Sequence, residues 1–83
     1  MRVLVTGAAS GLGAALTKAW RARGDDVLAT DLGGVDLTLD ITNDEHWAAA
    51  LAEVETRWGG LDVLVNNAGV AGGGRLDVAT LDE

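Results

Sequence analysis

Short apolar runs alternate with amphipathic stretches along this chain. Residues 3–5, 27–30 and 61–65 are rich in Val and Leu, with apolar residues at successive positions. Such runs are typical of parallel strands that are covered on both faces. Between them, apolar residues recur at helical spacing over residues 12–23 and again after residue 44. This alternation of strand and helix predicts an α/β fold with a parallel sheet.

Residues 35–40 follow a different pattern, because apolar and polar residues alternate with period two. The pattern predicts a third strand at a sheet edge, with one face in contact with water. A parallel crossover ordinarily needs a dozen or more residues, and only Leu32, Gly33 and Gly34 are available here. Two alternatives follow: a very short strand reached by an irregular crossover, which we favour, or a hairpin-like excursion.

Both predicted helices have recognisable ends. Gly24 ends the first, and Gly59–Gly60 ends the second. Thr42 and Glu45 fit a capping box in which Thr42 is the N-cap of the second helix. The apolar positions at helical spacing in the first helix are Leu12, Ala15, Leu16, Ala19 and Trp20. The predicted buried stripe of the second is Trp47, Ala50, Leu51, Val54 and Trp58.

The first strand and first helix are joined by a turn that contains Gly7, Gly11 and Gly13. Glycine permits backbone conformations that other residues resist and lets a ligand approach the backbone closely. The free N–H groups at the start of the following helix favour an anion such as a pyrophosphate. The spacing is neither G-x-G-x-x-G nor a P-loop. Taken alone, these glycines could also belong to an ordinary turn.

Two further polar groups lie where predicted strands end. Asp31 follows the second strand about 20 residues after the glycine turn, where dinucleotide folds place an acid on the adenosine ribose. An Asn66–Gly69 turn follows the 61–65 strand, at the same sheet edge as the glycine turn. The alternatives are a solvated turn aspartate and an ordinary Asn-Gly-type turn.

Composition narrows the class of protein. The chain has 83 residues, a formal net charge of -7 and no Cys. One small domain is the most that it can form, without disulfides or a Cys-based metal site. His46 has no second His or Cys to share a metal, so we expect a solvated surface histidine and no metal.

The acidic net charge argues against a nucleic-acid partner. A strand at the very start and no long apolar run predict no signal peptide, no membrane span and a cytoplasmic location.

The pattern as a whole resembles the N-terminal part of the short-chain dehydrogenase/reductase family. The residues that carry the resemblance are Thr6-Gly7-x-x-x-Gly11-x-Gly13, Asp31, the Asp40-Ile41-Thr42 triplet and Asn66-Asn67-Ala68-Gly69, in the family's order. The resemblance implies an incomplete, Rossmann-like, doubly wound parallel sheet of about four strands in the order 3-2-1-4, with two or three helices. Residues 1–83 would be the N-terminal part of a single dinucleotide-binding domain.

The resemblance also implies the roles of particular residues. The glycine turn would hold the pyrophosphate, and Asp31 would hold the adenine-side ribose. Asp40 and Ile41 would border the adenine, and the Asn67 turn would lie beside the nicotinamide-side ribose. The implied cofactor is NAD, preferred over NADP because Asp31 would repel the extra phosphate. The expected cofactor-binding residues are Gly7, Ser10, Gly11, Leu12, Gly13, Asp31, Asp40, Ile41, Asn67, Ala68 and Gly69.

Two features depart from the family. The helix that usually lies between strands two and three is missing, which leaves the adenine side more open. The family's catalytic Tyr-x-x-x-Lys pair is also missing: the chain has no Tyr, and its only Lys is Lys18. We therefore expect no catalytic residues and no hydride transfer by this chain alone, although the complete form would transfer hydride between an alcohol or carbonyl substrate and nicotinamide.

Two other functions remain open. The chain could be a non-catalytic nucleotide-binding or assembly module, because it has no Tyr. A flavodoxin-like domain is disfavoured, since it explains neither Asp31 nor the Asn66–Gly69 turn. The strand at 61–65 would present a bare apolar edge, so we expect a homo-oligomer.

Overall fold

The computed structural model describes residues 1–67 and the backbone of residues 77–80. Within these residues, five strands form one sheet in the order β3-β2-β1-β4-β5. The elements, in chain order, are β1 (Arg2–Thr6), α1 (Gly11–Ala22), β2 (Asp26–Asp31), β3 (Leu37–Thr38), α2 (Asp44–Trp58), β4 (Val63–Asn66) and β5 (Asp77–Thr80). No helix in this described part is long and apolar enough to cross a membrane.

The core has two halves, one on each face of the sheet. Val3 and Val5 of β1 point to the face covered by α1, where Leu16 and Trp20 pack. Leu4, between them, points to the face covered by α2. Successive residues of a strand project to opposite faces, so continuous apolar runs require a layer on each side. The predicted doubly wound α/β architecture is confirmed.

The predicted strand order 3-2-1-4 is also confirmed, since β1, β2, β3 and β4 pair in parallel. The prediction of a bare edge on β4 is wrong. The backbone of β5 pairs antiparallel with β4 over the whole length of that strand, with Val65 opposite Val78. This pairing removes the edge on which the expected self-association rested. A homo-oligomer formed through another surface stays a prediction.

The third strand is shorter than the period-two pattern indicated, because only Leu37 and Thr38 pair with β2. Residues 32–36 make the connection without a helix, as the favoured alternative required. The Asp36 carboxylate accepts hydrogen bonds from the Ala29 amide N–H of β2 (2.9 Å) and from the Arg21 guanidinium (2.6 Å). The Asp36 side chain thus bonds a backbone N–H of β2, next to β3, which has only two residues.

The face that α1 turns to the sheet includes Leu16 and Trp20 but not the other apolar residues at helical spacing. Leu12 is 51% exposed, whereas Thr17 is buried. The Thr17 hydroxyl donates to the Gly13 carbonyl at 2.8 Å, which satisfies this polar group inside the core. The helix is therefore rotated so that Gly13, Leu16, Thr17 and Trp20 face the sheet, while Ala15 and Ala19 are exposed.

The start of α2 corrects two predictions. Asn43, not Thr42, is the N-cap, and its Oδ1 accepts hydrogen bonds from the Glu45 and His46 amides. Thr42 cannot serve because its hydroxyl and amide both donate to Asp40 Oδ1. Leu51, placed in the buried stripe, is 54% exposed, so Ala50 and Val54 are the buried residues of this helix.

Arg2 and Asp62 join the start of β1 to the segment before β4. The guanidinium donates to both carboxylate oxygens (2.9 and 3.1 Å), and the Arg2 amide donates to Oδ2 at 2.7 Å. The side-chain hydrogen bonds from Arg2, followed by the backbone one, lower the pKa of Asp62 to about 2. The carboxylate is therefore ionised, and bonded to Arg2, well below its ordinary pKa of 3.8.

We expect Asp62→Asn to lower the free energy of unfolding at neutral pH. A depressed folded-state pKa contributes stability that is present above the unfolded pKa and is lost as the pH falls through the folded one. The difference between wild type and variant should therefore shrink as the pH falls from about 4 to about 2. Urea unfolding at several pH values measures it, with Glu55→Gln on the exposed face of α2 as the control. A difference that does not depend on pH would contradict this role.

Candidate functional site

A cleft with a volume of about 560 Å³ opens at the carboxyl ends of β1, β2 and β4. Parallel strands bring their carboxyl ends to one edge of the sheet, where the connection reverses and a crevice forms. Residues from four segments of the chain surround it. The lining residues are Gly7, Ser10, Gly11, Leu12, Asp31, Leu32, Leu39, Asp40, Ile41, Thr42 and Asn67.

The glycine turn has a conformation and a packing that require glycine. Gly7 and Gly11 have positive φ angles, 66° and 58°, which side-chain-bearing residues rarely adopt. Gly13 is required for space instead, because a Cβ atom there would lie 2.1 Å from the Gly7 carbonyl oxygen. The start of α1 therefore packs directly against the end of β1. This close packing brings the first turn of α1 to the wall of the cleft.

The N-terminus of α1 is suited to an anion. Its N-cap, Ser10, is extended and makes no side-chain hydrogen bond to the helix, and no acidic residue lies in the first turn. The α2 N-terminus differs, because Asn43 caps it and Asp44 and Glu45 occupy its first turn. The first N–H groups of a helix have no intrahelical partner and carry the positive end of the dipole. At α1 these groups remain available to a ligand in the cleft.

Asp31 is fixed against the glycine turn. Its Oδ2 accepts a hydrogen bond from the Ala9 amide at 2.9 Å, and its Oδ1 accepts one from the Leu32 amide at 2.7 Å. The Ala8 amide donates to the Thr30 carbonyl at 2.9 Å, which ties the same turn to β2. A carboxylate oxygen can accept more than one hydrogen bond, so both oxygens can still bind a hydroxyl group.

Asn67 ties the end of β4 to the glycine turn. Its side-chain Nδ2 donates to the Gly7 carbonyl at 3.0 Å, and its backbone N–H donates to the Thr6 hydroxyl oxygen at 3.0 Å. The side chain thus braces neighbouring backbone, as an asparagine in a tight turn can. Because Gly13 packs on the same carbonyl group, the first and fourth strands and α1 meet at one point beside the cleft.

Asp40, Ile41 and Thr42 form the opposite side of the cleft. We call it the adenine-side wall, after the role that the resemblance implies for Asp40 and Ile41. Hydrogen bonds from the Thr42 hydroxyl (2.7 Å) and amide (2.9 Å) lower the pKa of Asp40 below its ordinary value. The first turn of α2 supports this wall. The Trp47 indole donates to the Ile41 carbonyl at 2.8 Å, and His46 Nδ1 accepts from the Asp40 amide at 2.9 Å. His46 is half-buried and bonded, so the expectation of a solvated surface histidine is wrong.

The structure brings together the expected site residues that it describes. Gly7, Ser10, Gly11, Leu12, Asp31, Asp40, Ile41 and Asn67 line the cleft, and Gly13 packs behind it. Ala68 and Gly69 lie outside the described residues. Sequence reasoning missed Leu32, Leu39 and Thr42 as lining residues, although each one is next to an expected residue. In the described ranges, no group of three or more His, Cys, Asp or Glu is placed to hold a metal ion.

Comparisons with known proteins identify the family. A family model described as "Enoyl-(Acyl carrier protein) reductase" matches residues 7–83. A short-chain dehydrogenase of Talaromyces islandicus is 41% identical over 95 residues, which cover 98% of this chain and 34% of that protein. The chain belongs to the short-chain dehydrogenase/reductase family. The resemblance seen in the sequence is thus confirmed.

Two further members of the short-chain dehydrogenase/reductase family show how much of such a protein this chain spans. The trans-4-hydroxycyclohexanecarboxylate dehydrogenase of Sinomonas cyclohexanicum is 35% identical over 103 residues, 96% of this chain and 40% of that protein. A 3-alpha-hydroxysteroid dehydrogenase from Pseudomonas sp. B-0831, solved in complex with NADH, is 39% identical with a TM-score of 0.73. The match covers 84% of this chain and 31% of the solved one. The chain therefore spans less than half the length of these relatives.

Proposed function

We propose that the cleft binds NAD and that the chain is the cofactor-binding portion of a short-chain dehydrogenase/reductase, within a single Rossmann-fold domain. One observation carries this proposal: the glycine turn, Asp31 and the adenine-side wall all line the same cleft. The Pseudomonas relative of similar fold was solved with NADH, which supports a nicotinamide dinucleotide as the ligand.

The groups around the cleft fit the parts of a dinucleotide. The uncapped N-terminus of α1, beside Gly11 and Leu12, suits the negative pyrophosphate. Asp31 lies beside the turn, where its carboxylate can accept hydrogen bonds from two ribose hydroxyls. The adenine-side wall offers the apolar Ile41 and the polar Asp40 to the base. By its family position, the Asn67–Gly69 segment would lie beside the nicotinamide-side ribose.

A preference for NAD over NADP follows from charge. Among the residues that the structure describes, the lining of the cleft includes two carboxylates, Asp31 and Asp40, and no Lys or Arg. A phosphate on the adenosine ribose of NADP would approach Asp31 without a cation to compensate its charge. Like charges at short distance in a partly enclosed site oppose binding. We therefore assign NAD as the preferred cofactor.

The reaction of a complete enzyme is part of the same proposal. A bound nicotinamide would exchange hydride with an alcohol or carbonyl substrate. These 83 residues include no Tyr, and their one Lys is Lys18 on α1. Proton transfer by a positioned side chain contributes about 10²- to 10⁴-fold to a rate. We therefore propose that this chain binds the cofactor without turning over a substrate by itself. Its cytoplasmic location stays a prediction.

Calorimetric titration with NAD, NADP and ADP-ribose tests the proposed ligand. We expect NAD and ADP-ribose to bind, because both have the adenosine ribose and pyrophosphate that the cleft fits. NADP should bind at least about tenfold more weakly, the cost of an uncompensated charge in a partly enclosed site. Binding of none of the three would favour the alternative, a structural or assembly module. A preference for NADP would contradict the role of Asp31.

A further inference from the structure

Two side chains from the first turn of α2 hold the adenine-side wall by hydrogen bonds of different kinds. His46 Nδ1 accepts from the Asp40 amide at 2.9 Å, and the Trp47 indole donates to the Ile41 carbonyl at 2.8 Å. Both bonds join α2 to backbone of the segment that lines the cleft. The wall is therefore positioned by α2 as well as by its own bonds between Thr42 and Asp40.

The two bonds respond differently to protons. A histidine nitrogen accepts a hydrogen bond only when it has no proton, so His46 in this arrangement is neutral, with its hydrogen on Nε2. Protonation would turn Nδ1 into a donor that faces the Asp40 N–H, another donor, and the bond would be lost. Histidine is the side chain whose charge ordinarily changes between about pH 8 and pH 5. The Trp47 indole does not titrate in this range.

The charged groups near His46 determine what replaces the lost bond. The Asp40 carboxylate faces it from the wall and interacts with it electrostatically. Asp44 and Glu45 precede it on α2, in the first turn. A protonated ring would be attracted to the Asp40 side chain, which already accepts two hydrogen bonds from Thr42. Protonation therefore removes the backbone bond and disturbs those of the wall.

We propose that His46 is a proton-sensitive positioning residue, whose neutral imidazole holds the adenine-side wall in place and whose protonation releases it. This inference rests on the proposed function, because it makes the affinity for the dinucleotide fall in acid. It assigns His46 a role through the Asp40 backbone and not through contact with the ligand.

The first test needs no ligand. In ¹H–¹⁵N NMR spectra of the free protein, the Asp40 amide proton should move upfield on acidification as His46 gains its proton, since the amide loses its acceptor. In His46→Asn the amide oxygen can take the place of Nδ1 and has no proton to gain. The chemical shift of the Asp40 amide proton should then not change over the same pH range. If the chemical shift of the Asp40 amide proton in the wild type does not change together with the protonation of the His46 ring, the proposal is overturned.

The second test is the affinity for NAD at about pH 7.5 and pH 5.5, either side of the ordinary histidine titration. The dissociation constant of the wild type should rise about two- to tenfold in acid, the ratio expected for one net hydrogen bond. His46→Asn should bind as the neutral wild type does at both pH values. His46→Ala should bind weakly at both. Trp47→Phe is the matched control: it removes the other bond, so it should weaken binding yet keep the pH dependence.

The outcomes separate the two proposals. An equal loss of affinity in acid for the wild type and His46→Asn would assign the titration to another group and overturn the role of His46. An affinity of the wild type that does not change with pH would do the same. If NAD binds at neither pH, the proposed function is what fails, and the Asp40 amide titration alone then decides whether His46 positions the wall.

Discussion

Replacing Gly13 with alanine is expected to lower the free energy of unfolding by about 3 kcal/mol or more, the upper end of the usual cost of overpacking. The added Cβ would lie 2.1 Å from the Gly7 carbonyl oxygen and 2.6 Å from Asn67 Nδ2. Neither neighbour can give way easily, because one is backbone and the other donates to that same carbonyl at 3.0 Å. A domain of this size has only about 3–5 kcal/mol of stability from its core. We therefore expect Gly13→Ala to be largely unfolded, as measured by urea titration and tryptophan fluorescence.

Two other glycines provide matched controls for this prediction. A Cβ at Gly33 would meet no atom within 4 Å, so Gly33→Ala should change stability by less than about 0.5 kcal/mol. Gly11 also has open space but a φ of +58°, so Gly11→Ala should cost about 1–2 kcal/mol through backbone strain alone. The series separates steric overlap from strain. Equal urea midpoints for Gly13→Ala and Gly33→Ala would show that α1 does not pack on β1 as described.

The second large effect is expected at Asp31. In Asp31→Asn the affinity for NAD should fall about 10- to 100-fold, because hydrogen bonds to a charged group contribute roughly 1.5–3 kcal/mol. The affinity for NADP should fall less or rise, since the variant no longer repels the additional phosphate. Asparagine is preferred to alanine here because it keeps one oxygen that can accept from the Ala9 amide, as Asp31 does at 2.9 Å. Calorimetric titration of both dinucleotides measures the change in preference.

Asp26→Asn is the control for this prediction. Asp26 is an exposed residue at the opposite end of the same strand, so its replacement removes the same charge far from the cleft. Its affinities should match those of the wild type within about twofold. A comparable loss of NAD binding in both variants would mean that total charge, and not the position of Asp31, governs the affinity. If Asp31→Asn binds NAD as tightly as the wild type does, Asp31 does not contribute to the binding site.

The glycine turn and Asp31 could be found from the sequence because their signals are local, whereas Asp40 and Ile41 were expected at the cleft only through the family resemblance. Gly7 precedes a helix that begins at Gly11, and Asp31 ends an apolar strand, so each position follows from a few neighbouring residues. The step from these segments to one site needs only the rule that parallel strands share their carboxyl edge. Leu39 was missed as a lining residue because the period-two pattern placed it within a strand, whereas the pairing of β3 ends at Thr38.

Errors arose where two interactions compete for one side chain. Thr42 has the right type and spacing for an N-cap, but its hydroxyl donates to Asp40, so Asn43 caps α2 instead. Thr17 is not among the apolar positions of α1, yet it is buried, and the Gly13 carbonyl accepts a hydrogen bond from its hydroxyl. In both places a nearby acceptor decided the outcome, and residue type and spacing do not show which acceptor a hydroxyl selects.

The sequence by itself determined the alternation of strands and helices. Its motifs, through the family that they resemble, implied the strand order 3-2-1-4 and the residues around the cleft. Hydrophobic periodicity and turn chemistry act over a few residues, so they can be recognised without coordinates. Only the tertiary structure decided that β5 covers the edge of β4, that Asp36 bonds the backbone of β2, and that His46 holds Asp40. These features depend on hydrogen bonds whose donor and acceptor come together only when separate elements pack, and no local pattern specifies that geometry.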